Sequence, residues 1–548
     1  MFGLDVLVNR RHVLFVIVAV GALHIPVCRT TVLIPWLVHV DFLGGRPALQ
    51  FFPLKNERIS LIDRSLMQWI SGTLELTSKV RYGISSHGHP LFRFTPYDRR
   101  WPIFAVASAL RDFTANVHVI IEPSEAKGSL QRGSIVQLLG KPSEHTEKAM
   151  MMMSYAYDSN KDLRKIIPSS STGFRDDERE VVEGFTFHID PAGCKDVDDA
   201  FTFVREGDAW KVYIHISDVD AWIPSTSTTD AVAKKRATTF YSLDGKALAP
   251  MFPPTISEES ASLLPGMRKP ALSLMFYFTP EGIHGLTWKR TLIQCHRSFT
   301  YEEASASVSA QPELGALRDL AVYLAASAAE ASAAADAEVK TDSHRWVQEM
   351  MILYNTRAGI LLRSNGIGIL RRHSAKKTAL LAKIGQGAFT DIPGIPDIPF
   401  ILSAAEYVDA RDENVAHAGL NKDAYAYATS PIRRYCDLVN QRCMKHILFA
   451  YSPPLDIPPL VDELNRRQKQ EKAFTRDMFF MEVLSGAKRQ VNGVAVSEKR
   501  VWIPEWKRCI TVKSPLLEGQ SYSITWYENK GLPRWKERIV FRAEQVKI

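Results

Sequence analysis

The sequence predicts an α+β chain of several domains, with small β-barrels on either side of a larger central domain of mixed structure. Three observations carry that expectation. Short apolar runs separated by turn residues recur between about Asp63 and Pro142 and again after Glu482, which is the pattern of small barrels. Between them, strand-like runs give way after Tyr301 to stretches of helical periodicity. A length of 548 residues also exceeds what one hydrophobic core serves, so three or four domains are expected.

Composition narrows the class. With 46% hydrophobic and 23% charged residues the chain is ordinary for a globular protein, which excludes wholesale disorder. A net charge of +8 and a pI near 9.0 suit a polyanionic partner without demanding one. The six cysteines (28, 194, 295, 436, 443 and 509) are scattered and form no C-x-x-C pair. That excludes a zinc ribbon or a disulfide framework and points to free thiols in a reducing compartment. Cytoplasm and nucleus both fit, and an organelle such as the mitochondrion stays open.

Residues 1–60 allow three readings. Val13 to Val20 after Arg10-Arg-His12 imitates a signal peptide's charged start and apolar core. The apolar stretch is short and β-branched for a membrane span, so no stable membrane partner is expected. A strand pair from a partial barrel fits at least as well, and the charged start with few acids also allows an organelle-targeting segment.

Residues 61–145 carry five short strands: Gly72–Leu76, Arg93-Phe94, Ile103–Val106, Val117–Ile121 and Ile135–Leu139. Five strands in so short a span predict a barrel of the OB or cold-shock type. Tyr97 and Trp101 lie among Arg99 and Arg100, a mixture suited either to stacking bases or to packing the barrel. Residues 146–182 read as a helical connector with a polar exit at Ser169–Gly173.

Residues 183–480 read as the central domain. Its strands are expected at Lys211–Ile216, Leu272–Phe278, Leu286–Trp288 and Arg290–Gln294, with a plain helix over Ala316–Ala337. Trp346, Met350, Leu353, Tyr354, Arg357, Ile360 and Leu361 recur at helical spacing, with Glu349 and Asn355 as polar exceptions. Residues 374–400 form a Pro/Gly-rich loop, and Leu460–Met478 an Arg/Lys/Gln-rich helix. Residues 481–548 carry a second set of strands and are expected to close into another small barrel. There Trp502, Trp506, Lys507 and Arg508 repeat the aromatic-basic mixture suited to single-stranded nucleic acid.

The chemistry concentrates in His188-Ile-Asp-Pro-Ala-Gly-Cys-Lys-Asp-Val-Asp-Asp-Ala200. Asp190 ends the apolar run Phe185, Phe187, Ile189; Pro191 and Gly193 turn the chain; Ala200–Val204 resumes as a strand. Asp196, Asp198 and Asp199 therefore sit on one tight loop facing Asp190. Four like charges so close repel by several kcal/mol, roughly, at an intermediate effective dielectric, and call for a cation. An EF-hand calcium loop would need Glu at its twelfth position; counting from Asp190 that position is Phe201. Oxygen donors without His or Cys suit Mg²⁺, with Mn²⁺ as a second fit.

That stretch resembles the signature of the ribonuclease II family, the RNB-domain exoribonucleases that include bacterial ribonuclease R and the eukaryotic exosome nuclease. Further blocks follow in the family's order: Val212–Val219, Met251–Glu258 with Ser262–Gly266, Gln348–Asn355, Ile369–His373 and Tyr427–Leu438. The resemblance implies an RNB catalytic domain between cold-shock-like and S1-like barrels. It further implies metal-dependent 3′→5′ hydrolysis of single-stranded RNA to nucleoside 5′-monophosphates.

By the same resemblance Asp190, Asp196, Asp198 and Asp199 are the metal ligands, and Asp198, Asp199 and Arg433 the catalytic residues. Tyr301, Tyr241, Arg434 and Glu349 are implied substrate contacts. For Arg434 an internal ion pair with Asp437 is the competing reading, and His215 and Asp218 read as structural groups. Gln441, Ala428 and Lys472 depart from the family pattern and bear on grip and processivity, not on the metal ligands. The alternative function is a catalytically silent RNA-binding or scaffold subunit. A helicase or a larger RNA-decay complex is the implied partner beside single-stranded RNA.

Overall fold

The structure is a computed structural model. It describes the backbone of five strands before residue 54, then residues 69–124, 130–155, 179–225, 227–327, 339, 341–374, 404–450, 457–486, 489–529 and 532–546. The polar exit of the connector, the loop 375–403, the end of the Ala-rich run and Cys28 lie outside the described residues. The chain divides into two compact units, Met1–Gln68 and Trp69–Ile548.

The first unit is built of strands. β1 (Val6–Asn9) and β2 (His12–Phe15) pair as a hairpin, and β3 (Ile17–Leu23), β4 (Val32–Leu43) and β5 (Arg46–Pro53) form an antiparallel three-stranded sheet. Of the open readings of this segment, the strand reading describes the backbone. No described helix of the protein is long and apolar enough to cross a membrane.

The second unit opens with the expected barrel. β6 (Ile70–Leu74), β7 (Leu91–Pro96), β8 (Phe104–Ala107), β9 (Val117–Ser124) and β10 (Gln131–Gly140) close in the order β10-β8-β7-β6-β9. Leu74, Phe92, Phe94, Phe104, Val106 and Val119 fill it. Trp101 packs against that core. The Tyr97 hydroxyl accepts from Trp535 Nε1 at 2.8 Å, so both aromatics serve packing and not a base platform.

The central sheet has seven strands: β11 (Glu180–Val181), β12 (Phe185–Ile189), β13 (Asp199–Glu206), β14 (Ala209–Ser217), β17 (Lys269–Thr279), β18 (Gly282–Ile293) and β19 (Arg297–Phe299). Their spatial order is β11-β18-β17-β14-β13-β12-β19. The two strands expected at 286–294 are one continuous strand, β18, because no turn residue interrupts Trp288-Lys-Arg290. A register shift opposite Met275 and Tyr277 accommodates its bend.

Alternation divides the residues between the sheet's faces. Phe187, Phe201, Val212, Ile214, Leu274 and Phe276 meet Leu317, Leu320, Trp346, Met350 and Tyr354 of helices Pro312–Ser327 and Ser343–Asn365. The second of these helices starts where Asp342 accepts the His344 N–H and ends at Gly366 in the left-handed conformation. Helix Tyr435–Phe449 packs into the same core.

Two short ribbons lie outside the sheet: β15 (Phe240–Tyr241) with β16 (Ala247–Ala249), and β20 (Ile369–Arg372) with β21 (Glu406–Asp409). Helix Pro458–Ser485 then leads to β22 (Gln490–Ser497), β23 (Arg500–Ile503), β24 (Arg508–Thr511), β25 (Ser521–Glu528) and β26 (Ile539–Gln545).

Here the expected second barrel is an antiparallel sheet ordered β24-β23-β22-β25-β26, whose edge strands do not pair with each other among the described residues. Trp506 and Trp526 sit in its core, and Trp502 is also buried. Trp502 and Trp506 are therefore packing residues, which corrects their reading as an RNA-stacking surface. Alternation could not show this, because a tryptophan fills a small core as readily as it stacks a base.

Candidate active site

The aspartate loop begins and ends on neighbouring strands. β12 runs antiparallel to β13 with Phe187 opposite Phe201, so the same register brings the end of β12 beside the start of β13. Continued past the paired residues, that register sets Ile189 opposite Asp199, and the charge of Asp190 reaches Asp199 although the loop between them holds eight residues. Gly193, at φ 78°, makes the turn that Pro191 starts, with Cys194 N–H donating to Pro191 O at 3.1 Å. The Asp190 N–H donates to Phe299 O of β19 at 3.1 Å. The far side of the loop is held by the Ser262 block. Val197 N–H donates to Ser262 Oγ at 3.0 Å, and Ser262 Oγ donates to Lys195 O at 2.7 Å.

Three of the four carboxylates have their own protein donor. His188 Nδ1 lies 2.8 Å from Asp190 Oδ2. Tyr241, on the β15 ribbon, donates to Asp196 Oδ2 at 2.5 Å. Asp198 accepts the Ile432 N–H at 2.9 Å on Oδ1 and Arg433 Nε at 3.1 Å on Oδ2. Burial pushes the Asp198 carboxyl up to about 7, against the pull of Arg433 and the Ile432 N–H. Asp199 is raised as well, first by burial and then by the charges of Asp190 and Asp198.

Asp190 and Asp199 present oxygen donors whose charges oppose each other, and Mg²⁺ needs only one or two carboxylates beside water and phosphate. No group of three or more His, Cys, Asp or Glu side chains placed to hold a metal ion occurs among the described residues, so the four aspartates expected as metal ligands are not gathered into such a set.

Arg433 is brought in from the other end of the domain. Asp437, at the start of helix Tyr435–Phe449, accepts the Ser430 N–H at 2.8 Å. Asn355 accepts the Ala428 N–H at 2.8 Å and donates to Thr429 Oγ1 and the Tyr425 hydroxyl, each at 3.2 Å. Thr239 N–H holds the Arg433 carbonyl at 2.9 Å. With the loop fixed in this way, Arg433 spends Nε on Asp198 and Nη2 on Ser430 Oγ (2.9 Å), while its side chain stays 42% exposed. A phosphate can reach it.

The expected substrate residues divide. Tyr301 opens helix Tyr301–Ser307, whose first turn is fixed by a capping box between Thr300 and Glu303. Its ring stacks on His344 at 3.6 Å between centroids and 9° between planes. Burial raises its phenol, and the charges of Asp190 and Asp199 raise it further, so the hydroxyl lies within the field of the aspartates. Tyr241 belongs to the same cluster through Asp196. Arg434 does not: it pairs with Asp437 at 2.7 Å and lies over the Tyr427 ring at 4.1 Å, which corrects its reading as a substrate contact. Glu349 is also apart. It is buried on its helix, its carboxyl raised by burial and offset by Arg345 and Lys422.

Sequence reasoning missed the Ile432 N–H, since a backbone donor leaves no trace in residue type. It also passed over His188, although that residue stands inside the signature. His215 and Asp218 are where a structural role puts them. His215 bonds Thr202 Oγ1 at 2.9 Å and Ser273 Oγ at 2.6 Å, and Asp218 pairs with Arg179 at 2.6 Å and Lys445 at 3.0 Å. Gln441 is a strut, donating to Ser217 O at 2.7 Å.

Residues 178–450 match the RNB domain. The chain belongs to the ribonuclease II family. It is 27% identical to Exoribonuclease 2 of Erwinia tasmaniensis over 440 residues, which cover 67% of this chain and 68% of that one. Against Exoribonuclease 2 of Yersinia pseudotuberculosis the identity is again 27%, and the match spans 56% of the relative's length. In three dimensions RNase R of Mycoplasma genitalium in its apo form is similar at a TM-score of 0.70. There the identity is 14%, over 99% of this chain and 100% of that one. The same RNase R also has structures in complex with ribose-methylated single-stranded RNA and with double-stranded RNA. The yeast pseudonuclease Ssd1 shares the fold at a TM-score of 0.63 and 17% identity, over 90% of this chain and 71% of that one.

Proposed function

We propose that the protein is a metal-dependent 3′→5′ exoribonuclease that hydrolyses single-stranded RNA to nucleoside 5′-monophosphates. The observation that carries this reading is the convergence of Arg433 and the Ile432 N–H on Asp198, beside the opposed pair Asp190 and Asp199. A carboxylate buried next to two more costs stability wherever its charge is left uncompensated. The one guanidinium here does not offset the aspartates as the cations around Asp218 and Asp220 do, which favours a functional role.

Asp190 and Asp199 would hold Mg²⁺, with Asp196 held beside them by Tyr241. When bound, the ion supplies positive charge to the phosphoryl oxygens and makes water a better nucleophile at neutral pH. The chain's own residues do the rest. Arg433 offers its exposed guanidinium to the phosphate at the scissile bond, where a planar fork grips two oxygens and a Lys could not. Asp198, fixed on both oxygens, keeps that guanidinium aimed. Tyr301, backed by His344, presents an aromatic face to the terminal base. Fixing the last nucleotide against one phosphodiester converts binding into orientation.

The relatives named Exoribonuclease 2 and the RNA complexes of the RNase R neighbour support this reading. The four carboxylates and Arg433 together stand against the silent alternative that the pseudonuclease neighbour represents. The test is product analysis. A linear single-stranded RNA incubated with the protein and Mg²⁺ is expected to yield nucleoside 5′-monophosphates, while a circular RNA of the same sequence survives. Cleavage of the circle would overturn the exonucleolytic reading.

A further inference from the structure

We propose that His188 and Ser298 are positioning residues that fix the Asp190 carboxylate for its cation; this rests on the hydrolase reading above. β12 and β19 run parallel with His188 directly opposite Ser298. Across that pair, His188 Nε2 lies 2.7 Å from Ser298 Oγ, and His188 Nδ1 lies 2.8 Å from Asp190 Oδ2. His188 is buried, Ser298 is exposed, and the Asp190 side chain is 22% exposed.

The direction of each bond follows from the groups. An ionised carboxylate only accepts, so Nδ1 carries the hydrogen. In the neutral ring Nε2 is then an acceptor, and the Ser298 hydroxyl donates to it. Asp190 thus selects the tautomer, and the Ser298 hydroxyl, free to donate, completes it at Nε2 and holds the ring so that its N–H is directed at one oxygen of Asp190. That bond occupies Oδ2 and leaves Oδ1 without a contact to His188, while the charge of Asp190 is felt at Asp199. Outer partners of this kind orient ligands at metal centres, and their loss typically costs about 10- to 100-fold in metal affinity.

Hydroxyl, imidazole and carboxylate in this order also make a nucleophile relay. In such a relay the carboxylate is buried and serves the imidazole alone. Asp190 instead opens toward solvent and toward the charge of Asp199, so the chain acts in the opposite sense, from hydroxyl to carboxylate. The main-chain bond from the Asp190 N–H to Phe299 O ties the same two strands one step further on, so backbone and side-chain ladders hold Asp190 together. Tyr241 does the equivalent for Asp196 from the β15 ribbon.

The probe is Mn²⁺ titrated into the full chain and followed by electron paramagnetic resonance, with the RNA-cleavage rate against Mg²⁺ concentration measured in parallel. His188→Leu is expected to weaken Mn²⁺ binding about 10- to 100-fold. It should raise the Mg²⁺ needed for half-maximal rate by a similar factor and leave the KM for RNA unchanged. His188→Asn, which keeps an N–H near Nδ1, should recover most of the affinity. Ser298→Ala should show a smaller loss in the same direction, and because that hydroxyl is exposed the variant guards against a folding defect at His188. Unchanged Mn²⁺ affinity in both His188→Leu and Ser298→Ala would overturn the inference while the hydrolase stands. A wild-type protein that binds no Mn²⁺ would overturn the hydrolase reading, and this inference with it.

Discussion

Arg433 Nε lies 3.1 Å from Asp198 Oδ2, although 235 positions of sequence separate the two residues. The contact fastens the aspartate loop, built from β12 and β13, to the segment that leads into helix Tyr435–Phe449. The same guanidinium orients Asp198 and, on the function proposed above, would also receive phosphate.

Replacing Arg433 therefore separates these tasks from folding. Arg433→Lys keeps the charge but loses the fork that reaches Asp198 and Ser430 together. We expect the cleavage rate to fall about 10²-fold or more, as when one charge-stabilising donor is removed. The unfolding midpoint should hardly move, because Lys keeps a positive charge beside the buried Asp198 and Asp198 keeps its bond from the Ile432 N–H. Single-turnover kinetics and a urea titration on the same sample check both halves.

Beneath that loop lies a buried charge network. Arg179 and Lys445 neutralise Asp218, Lys445 and Arg442 share Asp220, and Arg442 reaches Asp230 at 2.7 Å, where the Tyr435 hydroxyl also donates. Removing one member leaves uncompensated charge in the interior. Asp218→Ala is expected to cost about 3–5 kcal/mol of stability, read by chemical denaturation. A cost under about 1 kcal/mol, the usual worth of an exposed ion pair, would show that the network is solvated.

The protein should also weaken in mild acid for a reason internal to its sheet. Burial pushes the His215 imidazole down to about 3 between Thr202 and Ser273. Unfolded, the ring takes a proton near its ordinary value of about 6.5, so between the two values the unfolded state binds more protons. Its contribution is complete above that range and is lost as pH falls through it. At pH 5 the loss is about 2 kcal/mol at 1.36 kcal/mol per unit. Denaturation midpoints at pH 7.5 and 5.0 should differ more in wild type than in His215→Gln. Equal differences would remove His215 as the cause.

In the C-terminal sheet, Trp506→Ala should act on stability and not on RNA contact. Its ring packs against Trp526, Phe479, Phe480 and Phe541. A truncation of this kind costs about 3–5 kcal/mol. Under conditions where the variant stays folded, its RNA affinity in a gel shift should match wild type; a selective loss of affinity would restore the stacking role.

How much of this was legible depends on sequence distance. The four aspartates could be read because they fall within ten residues between two strand patterns. The closed barrel could be read because its strands are short, apolar and evenly punctuated. What could not be read was pairing across the chain. Nothing local in Ser430-Pro-Ile-Arg-Arg434 says that the Ile432 amide will meet Asp198. Nor does residue type distinguish Arg433, which reaches Asp198, from Arg434, which turns to Asp437. Burial was the other blind spot, since Trp502 and Trp506 beside Lys507 and Arg508 look the same in sequence whether they face a core or an RNA strand.

The most direct measurement of the central claim is a time course on a 5′-labelled single-stranded RNA with Mg²⁺, comparing wild type with Asp198→Asn and with an EDTA control. The account predicts a ladder that shortens from the 3′ end in the wild type and is absent from both the variant and the control. A wild-type protein that retains the RNA in a gel shift yet never shortens it would contradict the account and make the chain an RNA-binding member of its family.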